Sequence, residues 1–272
     1  MRWMSICLLV IAPLIGVGTA RAADVFGTID ATHGTALVHA ADGGTRPAAP
    51  GMQVNVGERI ETGADGEVHL VTADEGFIAV RPSSQMRAES YRTAAKEENI
   101  VLTLFKGALR SVTGWVGKRN PGTYQLKTST ATIGIRGTDH EAVIIDEPMQ
   151  GFAPGTVVSV REGAAFLRGA QGEIDISAGR HAFLARDGAL APRLLERLPE
   201  FLERRSLRIE DRVEKRKAAL VERIKERIAE RRAEAADEAD DDTAATPAER
   251  AARAKRDVKR EVRKRVRERN GN

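Results

Sequence analysis

The sequence predicts a mainly β protein, in which an antiparallel β domain is followed by charged C-terminal helices. Short runs of alternating apolar and polar residues recur with Gly- and Asp-containing turns between them, which is typical of strands and hairpins. After residue 190 the apolar spacing changes from two to nearly four, which indicates helix. Residues 23–190 carry 16 Lys and Arg against 20 Asp and Glu, whereas residues 191–272 carry 25 against 19. The chain therefore divides into a mildly acidic β domain and a basic helical tail.

The first 22 residues have the pattern of an export signal. Arg2 supplies a positive charge, residues 6–18 form a short apolar run, and Ala20-Arg21-Ala22 has the small-x-small form that signal peptidases accept. The run is shorter than the roughly 18 residues that a membrane-spanning helix needs. We therefore expect cleavage near Ala22 and a periplasmic or secreted product with no transmembrane span; an uncleaved N-terminal anchor is the alternative. The one cysteine, Cys7, lies in this segment, so the mature chain would have neither a disulfide nor a thiol nucleophile.

Residues 23–190 are predicted to form the β domain. Within the predicted strands the apolar side chains alternate with polar ones, as in the pairs Val68 and Leu70, and Ile78 and Val80, so that one face of each strand is buried. One buried face per strand is typical of a sandwich, a barrel or a short solenoid, and the spacing does not choose among them. The predicted strands are residues 35–40, 67–72, 77–81, 100–105, 108–112, 123–128, 140–145, 156–161, 164–168, 172–176 and 180–185.

Seven short segments of the β domain carry a recurring set of glycine, apolar and arginine residues. They are residues 56–63, 66–70, 77–84, 102–109, 124–128, 131–138 and 158–163. The most specific is the box Gly134-Ile135-Arg136-Gly137-Thr138. In order and spacing these segments resemble the FecR domain, and the resemblance extends over residues 50–165.

The resemblance implies an all-β, non-enzymatic module of the periplasm that binds another protein. In the best-known FecR proteins the domain follows a cytoplasmic anti-sigma segment and a transmembrane helix, and it receives a signal from an outer-membrane receptor for iron chelates. Here an export signal takes the place of the cytoplasmic segment, so direct control of a sigma factor is not expected. The resemblance therefore implies a fold and a compartment, and it leaves the partner unidentified.

The box at residues 134–138 has a physical interpretation of its own. Its two glycines flank an apolar residue and an arginine, which predicts a strand that bends sharply at a β-bulge. Gly137 would supply a backbone geometry that a side chain disfavours. The Arg136 guanidinium either binds an anionic partner or ties loop carbonyls and a nearby carboxylate together inside the fold. We predict the structural role for the whole box.

The titratable residues do not form a recognisable reactive site. Asp139-His140-Glu141 is the densest group. Neighbouring residues of a strand point to opposite faces, so His140 cannot share a site with both carboxylates. We expect Asp139 and Glu141 to lie together on a solvated face. The other four histidines lack the spacing of metal ligands, and the sequence has neither a Gly-x-Ser-x-Gly elbow nor a phosphate-binding loop. We therefore predict no catalytic residue, no cofactor and no metal site.

Residues 191–235 are predicted to form a charged amphipathic helix, which Pro199 interrupts or restarts. An acidic linker at 236–246 and a basic helix at 247–272 follow. Three arrangements of these helices are open: solvated charged helices, a hairpin of the two, or oligomerisation as a coiled coil. The first helix has apolar pairs that repeat every 11 residues and form a narrow stripe: Leu198 and Leu202, Ile209 and Val213, and Leu220 and Ile224.

The basic tail indicates an anionic partner. Export makes envelope polymers, lipid head groups or an acidic protein surface better candidates than nucleic acid. The leading hypothesis is that the β domain docks an envelope protein, in a signalling or surface-assembly context, while the tail adds a second contact. The runner-up is a structural or polysaccharide-binding envelope protein. For that role Trp115 is the candidate sugar platform, although a core or hairpin-tip aromatic is the favoured interpretation.

Overall fold

The computed structural model describes residues 24–94, 97–120, 122–206, 214–215, 217–219, 222–223, 225–226 and 229. The predicted signal peptide at 1–22, the acidic linker at 236–246 and the basic helix at 247–272 lie outside these residues. Two of the three apolar pairs of the tail also lie outside them, namely Ile209 with Val213 and Leu220 with Ile224.

Within the described part of the chain, sixteen strands and two short helices follow one another, and the predicted mainly β class is confirmed. The first eight strands are β1 (Val25–His33), β2 (Ala36–His39), β3 (Thr45–Pro47), β4 (Gln53–Asn55), β5 (Arg59–Thr62), β6 (Glu67–Thr72), β7 (Phe77–Val80) and β8 (Gln85–Arg92). The remaining elements are β9 (Asn99–Lys106), β10 (Ala108–Val112), α1 (Trp115–Arg119), β11 (Tyr124–Lys127), β12 (Thr132–Ile145), β13 (Gly155–Gly169), β14 (Gly172–Ser177), β15 (His181–Ala185), β16 (Arg193–Leu195) and α2 (Glu200–Ser206).

The strands belong to one hydrogen-bonded sheet. Twelve of them lie side by side in the order β3-β2-β5-β8-β9-β11-β12-β10-β7-β6-β1-β4, and β13 to β16 extend the sheet from β12. The pairing of β9 with β11 is parallel and the others are antiparallel. The sheet curls as a half-barrel around one large core, which is nearest to the barrel among the three predicted arrangements.

The inner face of the curled sheet encloses the main hydrophobic core. Val68 and Leu70 of β6 and Ile78 and Val80 of β7 are buried there, as the alternation predicted. Burial of one such side chain contributes about 1.5–3 kcal/mol to stability. The other residues that the alternation placed on buried faces belong to the same core: Leu102, Leu104, Tyr124, Leu126, Val158 and Val160.

The opposite side of β6, β7, β10, β12, β13 and β15, which we call the outer face, is also buried over much of its area. Phe77, Ala79 and Val112 form a small apolar cluster there. The prediction of one buried face per strand is therefore wrong for these strands, since side chains on both of their faces are buried. A larger outer cluster includes Ala108, Val143, Ile145, Val157, Phe183, Leu195 and Leu202.

The β domain continues past residue 190, where the sequence pattern placed its end. Arg193–Leu195 pairs with β15, so these residues belong to the sheet and not to the helix predicted for 191–235. The helix α2 begins at Glu200, directly after Pro199. The Pro199 carbonyl oxygen accepts hydrogen bonds from the backbone N–H groups of Leu202 and Glu203. Pro199 has no N–H of its own, so a position at the start of a helix costs it no hydrogen bond.

Candidate functional site

A line of side chains, mostly polar, crosses the centre of the outer face. In the sheet register Ala79 of β7 lies opposite Arg110 of β10, and Arg110 lies opposite Glu141 of β12. Glu141 lies opposite Ser159 of β13, which in turn lies opposite His181 of β15. Because side chains alternate along a strand and directly opposed residues share a face, these residues project from the same side of the sheet. The line runs between the small and the large apolar cluster.

A buried ion pair joins Arg110 and Asp139 on this face. Arg110 Nε donates to Asp139 Oδ1 at 2.8 Å, and Arg110 Nη2 donates to Oδ2 at 2.6 Å, in the two-pronged geometry that suits a carboxylate. Arg110 is fully buried and Asp139 is 2% exposed. Burial alone would raise the pKa of Asp139, but the hydrogen bonds from Arg110 and Lys217 hold that pKa below its usual value. Asp139 is therefore an ionised carboxylate at neutral pH.

Glu141 lies on the same face beside two further arginines. Its Oε1 is 3.3 Å from Arg81 Nη2, and its Oε2 is 4.0 Å from Arg161 Nη2. Asp139 and Glu141 thus share a face, but the expectation that this face is solvated is wrong, since Glu141 is only 9% exposed. The positive charge of the arginines compensates for the loss of water around both carboxylates.

His140 lies on the other side of β12, in the main core. Its Nδ1 is 3.0 Å from Thr138 Oγ1, and its ring packs edge-to-face against Tyr124. Burial lowers the pKa of His140 to about 4, so the imidazole is neutral at physiological pH. The structure therefore separates His140 from Asp139 and Glu141.

The tail contacts the buried ion pair. Glu214 Oε1 accepts a hydrogen bond from Arg110 Nη2 at 2.7 Å, and Lys217 Nζ donates to Asp139 Oδ2 at 3.1 Å and also to Glu162 of β13. Glu214 and Lys217 are both helical, and a spacing of three residues puts them on one helix face. The five side chains form a chain of alternating charge. The tail therefore packs on its own β domain, an arrangement that none of the three sequence-based alternatives included.

The helix α2 covers the larger apolar cluster of the outer face. Leu202 is buried in this cluster, and Leu198 and Phe201 pack beside it. The Phe152 ring makes edge-to-face contacts with Phe183 of β15 and with Phe201, at centroid distances of 5.6 and 6.2 Å. The first apolar pair of the tail, Leu198 and Leu202, is therefore used for packing against the sheet.

An open cleft of about 600 Å³ lies beside α2, against the end of β9, the turn at Gly107 and the end of β12. Its lining includes Phe105 and Met149, two large apolar side chains that are exposed to solvent. Lys106 adds a basic group to the lining, and Asp146 and Glu147 add two acidic groups. Exposed apolar side chains that adjoin such a cleft are typical of contact surfaces.

The glycines of the 134–138 box are required by packing, whereas its arginine lies on the surface. A Cβ added at Gly134 would lie 1.9 Å from Phe166 Cε1, so the aromatic ring fills the space of the missing side chain. Gly137 has a φ of +65°, and the pairing of β12 with β13 shifts register at this point, which is the predicted bulge. Arg136 is exposed and pairs with Asp175 at 3.3 Å. Its partner is a carboxylate, as the structural interpretation proposed, but the pair lies at the surface and not inside the fold. Arg136 still pairs in register with Ala164 and alternates with the buried Ile135, so its side chain points away from the core.

Other segments of the recurring motif act as structural ties. Thr62 Oγ1 donates to the Arg81 carbonyl at 2.6 Å and accepts from the Ser84 backbone N–H at 2.9 Å. Ser84 Oγ in turn accepts from the Ala108 backbone N–H at 2.8 Å. Gly107 has a φ of +79°, and a Cβ there would lie 2.2 Å from Ser84 Oγ. These contacts hold the turn between β9 and β10 against β5 and β7.

Asp74 lies in a second polar cluster, which is buried, and its carbonyl oxygen accepts a hydrogen bond from the Trp115 backbone N–H at 3.0 Å. Asp74 Oδ1 accepts hydrogen bonds from Thr72 Oγ1 at 2.7 Å and from the Tyr91 hydroxyl, whose pKa is raised by burial and by the Asp74 charge. Trp115 begins α1 and is half-buried, and the Arg119 guanidinium lies 4.6 Å from its ring centroid. Because Trp115 packs between the core and Arg119, it is not the open platform that sugar binding would use.

Histidines and carboxylates meet as isolated pairs, such as His39 with Glu61 at 3.0 Å and His69 with Glu67. Within residues 24–206 and the described positions of the tail, no group of three or more His, Cys, Asp or Glu side chains is arranged to hold a metal ion. The same residues contain no helix with the length and apolar character that crossing a membrane requires.

The central residues of the outer face are not singled out by sequence patterns. Arg110 has one local signal, because it alternates with Ala108 and Val112 in a predicted strand and a charge on an apolar face needs a partner. Glu214 and Lys217 have none, since glutamate and lysine occur throughout the tail. Their partners Arg110 and Asp139 are 104 and 78 residues away in the sequence.

Comparison with known proteins gives a family match and structural matches. Residues 58–166 match a family model described as "FecR protein". Two crystal structures of a candidate anti-sigma factor from Parabacteroides distasonis ATCC 8503, at 2.50 and 1.65 Å resolution, are 13% and 12% identical, with TM-scores of 0.39 and 0.40. Each alignment covers 50% of this chain and spans 59% of the solved chain. No curated protein matches the sequence.

Proposed function

Residues 58–166 form a FecR domain, so we propose that this chain is an exported interaction module that binds another protein of the cell envelope, in a signalling or surface-assembly process. The domain match is the observation that carries the proposal, because FecR-type proteins are regulators that act through contacts with other proteins. The signal-peptide pattern of residues 1–22 supports a periplasmic location for the mature protein.

A binding role suits the state of the charged residues on the outer face. Arg110 and Asp139 neutralise each other, and Glu141 lies beside Arg81, so their charges are used inside the fold. A general acid or base must reach a proton on the substrate. His140, whose ordinary pKa would suit that task, is buried in the core with a lowered pKa. These observations favour a non-enzymatic role.

The cleft beside α2 provides positions for testing contact with a partner. We would replace Phe105 or Met149 with a photoreactive amino acid in the full chain and irradiate cells that export it. Asp175 of β14, an exposed residue at the far end of the β13 pairing, is the matched control position. We expect a discrete protein adduct from Phe105 or Met149 and none from Asp175, and the adduct is identified by mass spectrometry.

Three results would count against this function. Loss of every protein adduct at both cleft positions would refute protein binding by this surface. Adducts with polysaccharide alone would favour the alternative of a polysaccharide-binding envelope protein. N-terminal sequencing of the native protein tests export separately: a start at Ala23 in the periplasmic fraction is expected, and intact Met1 in the cytosol would refute it.

A further inference from the structure

The outer face has the layout of a surface that receives a helix. Phe77 and Val112 form its apolar border on one side, and Val143 and Phe183 belong to the apolar cluster on the other. The Arg110–Asp139 pair lies between these borders, and each of its members forms an ion pair with a side chain of the tail. Apolar borders around a few fixed charges are typical of grooves that bind amphipathic helices.

The tail supplies the complement of this layout. Glu214 meets the basic end of the pair and Lys217 meets the acidic end, one helical turn later. Burial would lower the pKa of Lys217, but hydrogen bonds with Glu162 and Asp139 raise it above its usual value, so the side chain is charged. The match depends on order, because an exchange of the two charges would bring like charges together.

The contacts of the tail with this charged centre are only partly shielded from water. Glu214 is 51% exposed in its side chain, and Lys217 is 14% exposed. The contact of Glu214 is therefore the weak one, because water competes for an exposed charge. The tail instead has an advantage of proximity: Glu214 follows Leu195, the end of the sheet, by 19 residues of the same chain, which gives it an effective concentration of about millimolar.

We propose that the outer face is a helix-binding site whose internal ligand is the part of the tail that carries α2, Glu214 and Lys217. The protein partner binds the site by replacing this segment with an amphipathic helix of its own. The partner helix carries an acidic residue one turn before a basic residue, because Arg110 and Asp139 select that order. This proposal rests on the proposed function, since it names the surface and the class of partner for that binding.

The probe for the test is a fluorescently labelled synthetic peptide of residues 196–230 of this chain, titrated with the full-length protein. Three proteins are compared: the wild type, the double variant Glu214→Lys/Lys217→Glu, and the control double variant Glu222→Lys/Lys225→Glu. The control makes the same exchange of charges three residues apart on the same helix, at a pair that is exposed on both sides. Fluorescence anisotropy gives the Kd of each protein for the peptide.

We expect the Glu214/Lys217 variant to bind the peptide at least about tenfold more tightly than the wild type and the control, because its own segment no longer competes. A peptide with lysine at position 214 and glutamate at 217 should bind none of the three. Equal affinities for the three proteins, whether high or undetectable, would overturn the proposal. If the double variant melts at a lower temperature than the control, the single variant Glu214→Ala is titrated in its place. A smaller gain in affinity for the peptide, in the same direction, is then expected.

The peptide titration contains no envelope protein, so its outcome is independent of the partner search. A failed titration together with a protein adduct at Phe105 would leave the proposed function standing and remove the helix-binding site. A successful titration without any adduct would keep the site as a purely internal contact and remove its role in partner binding.

Discussion

Replacement of Asp139 with asparagine tests whether the outer face is held by the buried ion pair. The substitution keeps the size of the side chain and removes its charge, so the fully buried Arg110 loses its two-pronged partner. Removal of one member of a buried pair costs about 3–5 kcal/mol of unfolding free energy. Glu214 still accepts a hydrogen bond from Arg110, so we expect a loss at the lower end, about 3 kcal/mol.

The matched control is Glu173→Gln. Arg168 Nε donates to Glu173 Oε2 at 2.6 Å between the paired strands β13 and β14, so the chemistry is the same, but both side chains are largely hydrated. A surface pair of this kind contributes about 0–1 kcal/mol. The two substitutions therefore differ mainly in the burial of the pair that each one breaks.

Urea titration of the full chain at pH 7, followed by far-UV circular dichroism, measures both losses. The comparison requires that the dependence of the free energy on urea is unchanged, because only then do the midpoints report stability. If Asp139→Asn costs no more than Glu173→Gln, the Arg110–Asp139 pair does not hold the outer face, and the reasoning is refuted.

Three further predictions concern His140, a pair of glycines and Leu102. Between pH 6.5 and 4 the wild type should lose about 3 kcal/mol of unfolding free energy that His140→Gln does not lose, because the unfolded imidazole takes up a proton near pH 6.5 and the buried one only near pH 4. Urea midpoints at both pH values measure this difference, and equal losses would contradict it. Gly163→Ala should cost about 2–4 kcal/mol and Gly179→Ala about 1. Both glycines have φ near +75°, but a Cβ at 163 would lie 2.2 Å from the Gly137 carbonyl oxygen, whereas one at 179 meets nothing within 4 Å. Equal melting temperatures of the two variants would show that this steric clash has no cost. Leu102→Ala should cost about 2–5 kcal/mol in the same urea titration, and a loss under 1 would mean that the core closes around the gap.

Local patterns predict the inner face well, because alternation and burial there are properties of single strands. Val68 and Leu70 face the core for the same reason that they alternate with polar neighbours in the sequence. Gly137 is similar, since the need for a left-handed backbone at the bulge is a property of one residue.

The outer face could not be predicted in this way. Phe77 and Ala79 are fully buried on the outer face. β7 is apolar at all four positions, which is typical of a strand buried on both faces, and an interpretation by alternation alone overlooks this. Arg136 shows a related limit: alternation with Ile135 gives the direction of its side chain, but its partner Asp175 comes from another strand, β14. Long-range pairing, such as that of Lys217 with Asp139, is set by tertiary packing alone.

The contact between Arg110 and Glu214 joins residues 104 positions apart, and this separation has a consequence for biosynthesis. A chain is made from its N-terminus, so the strands up to β16 leave the ribosome before the segment that will lie over them. During that interval Arg110 and Asp139 lack the charged partners that Glu214 and Lys217 supply. A nonsense codon between positions 196 and 213 would make the interval permanent, and we expect quality-control proteases to remove the shortened product.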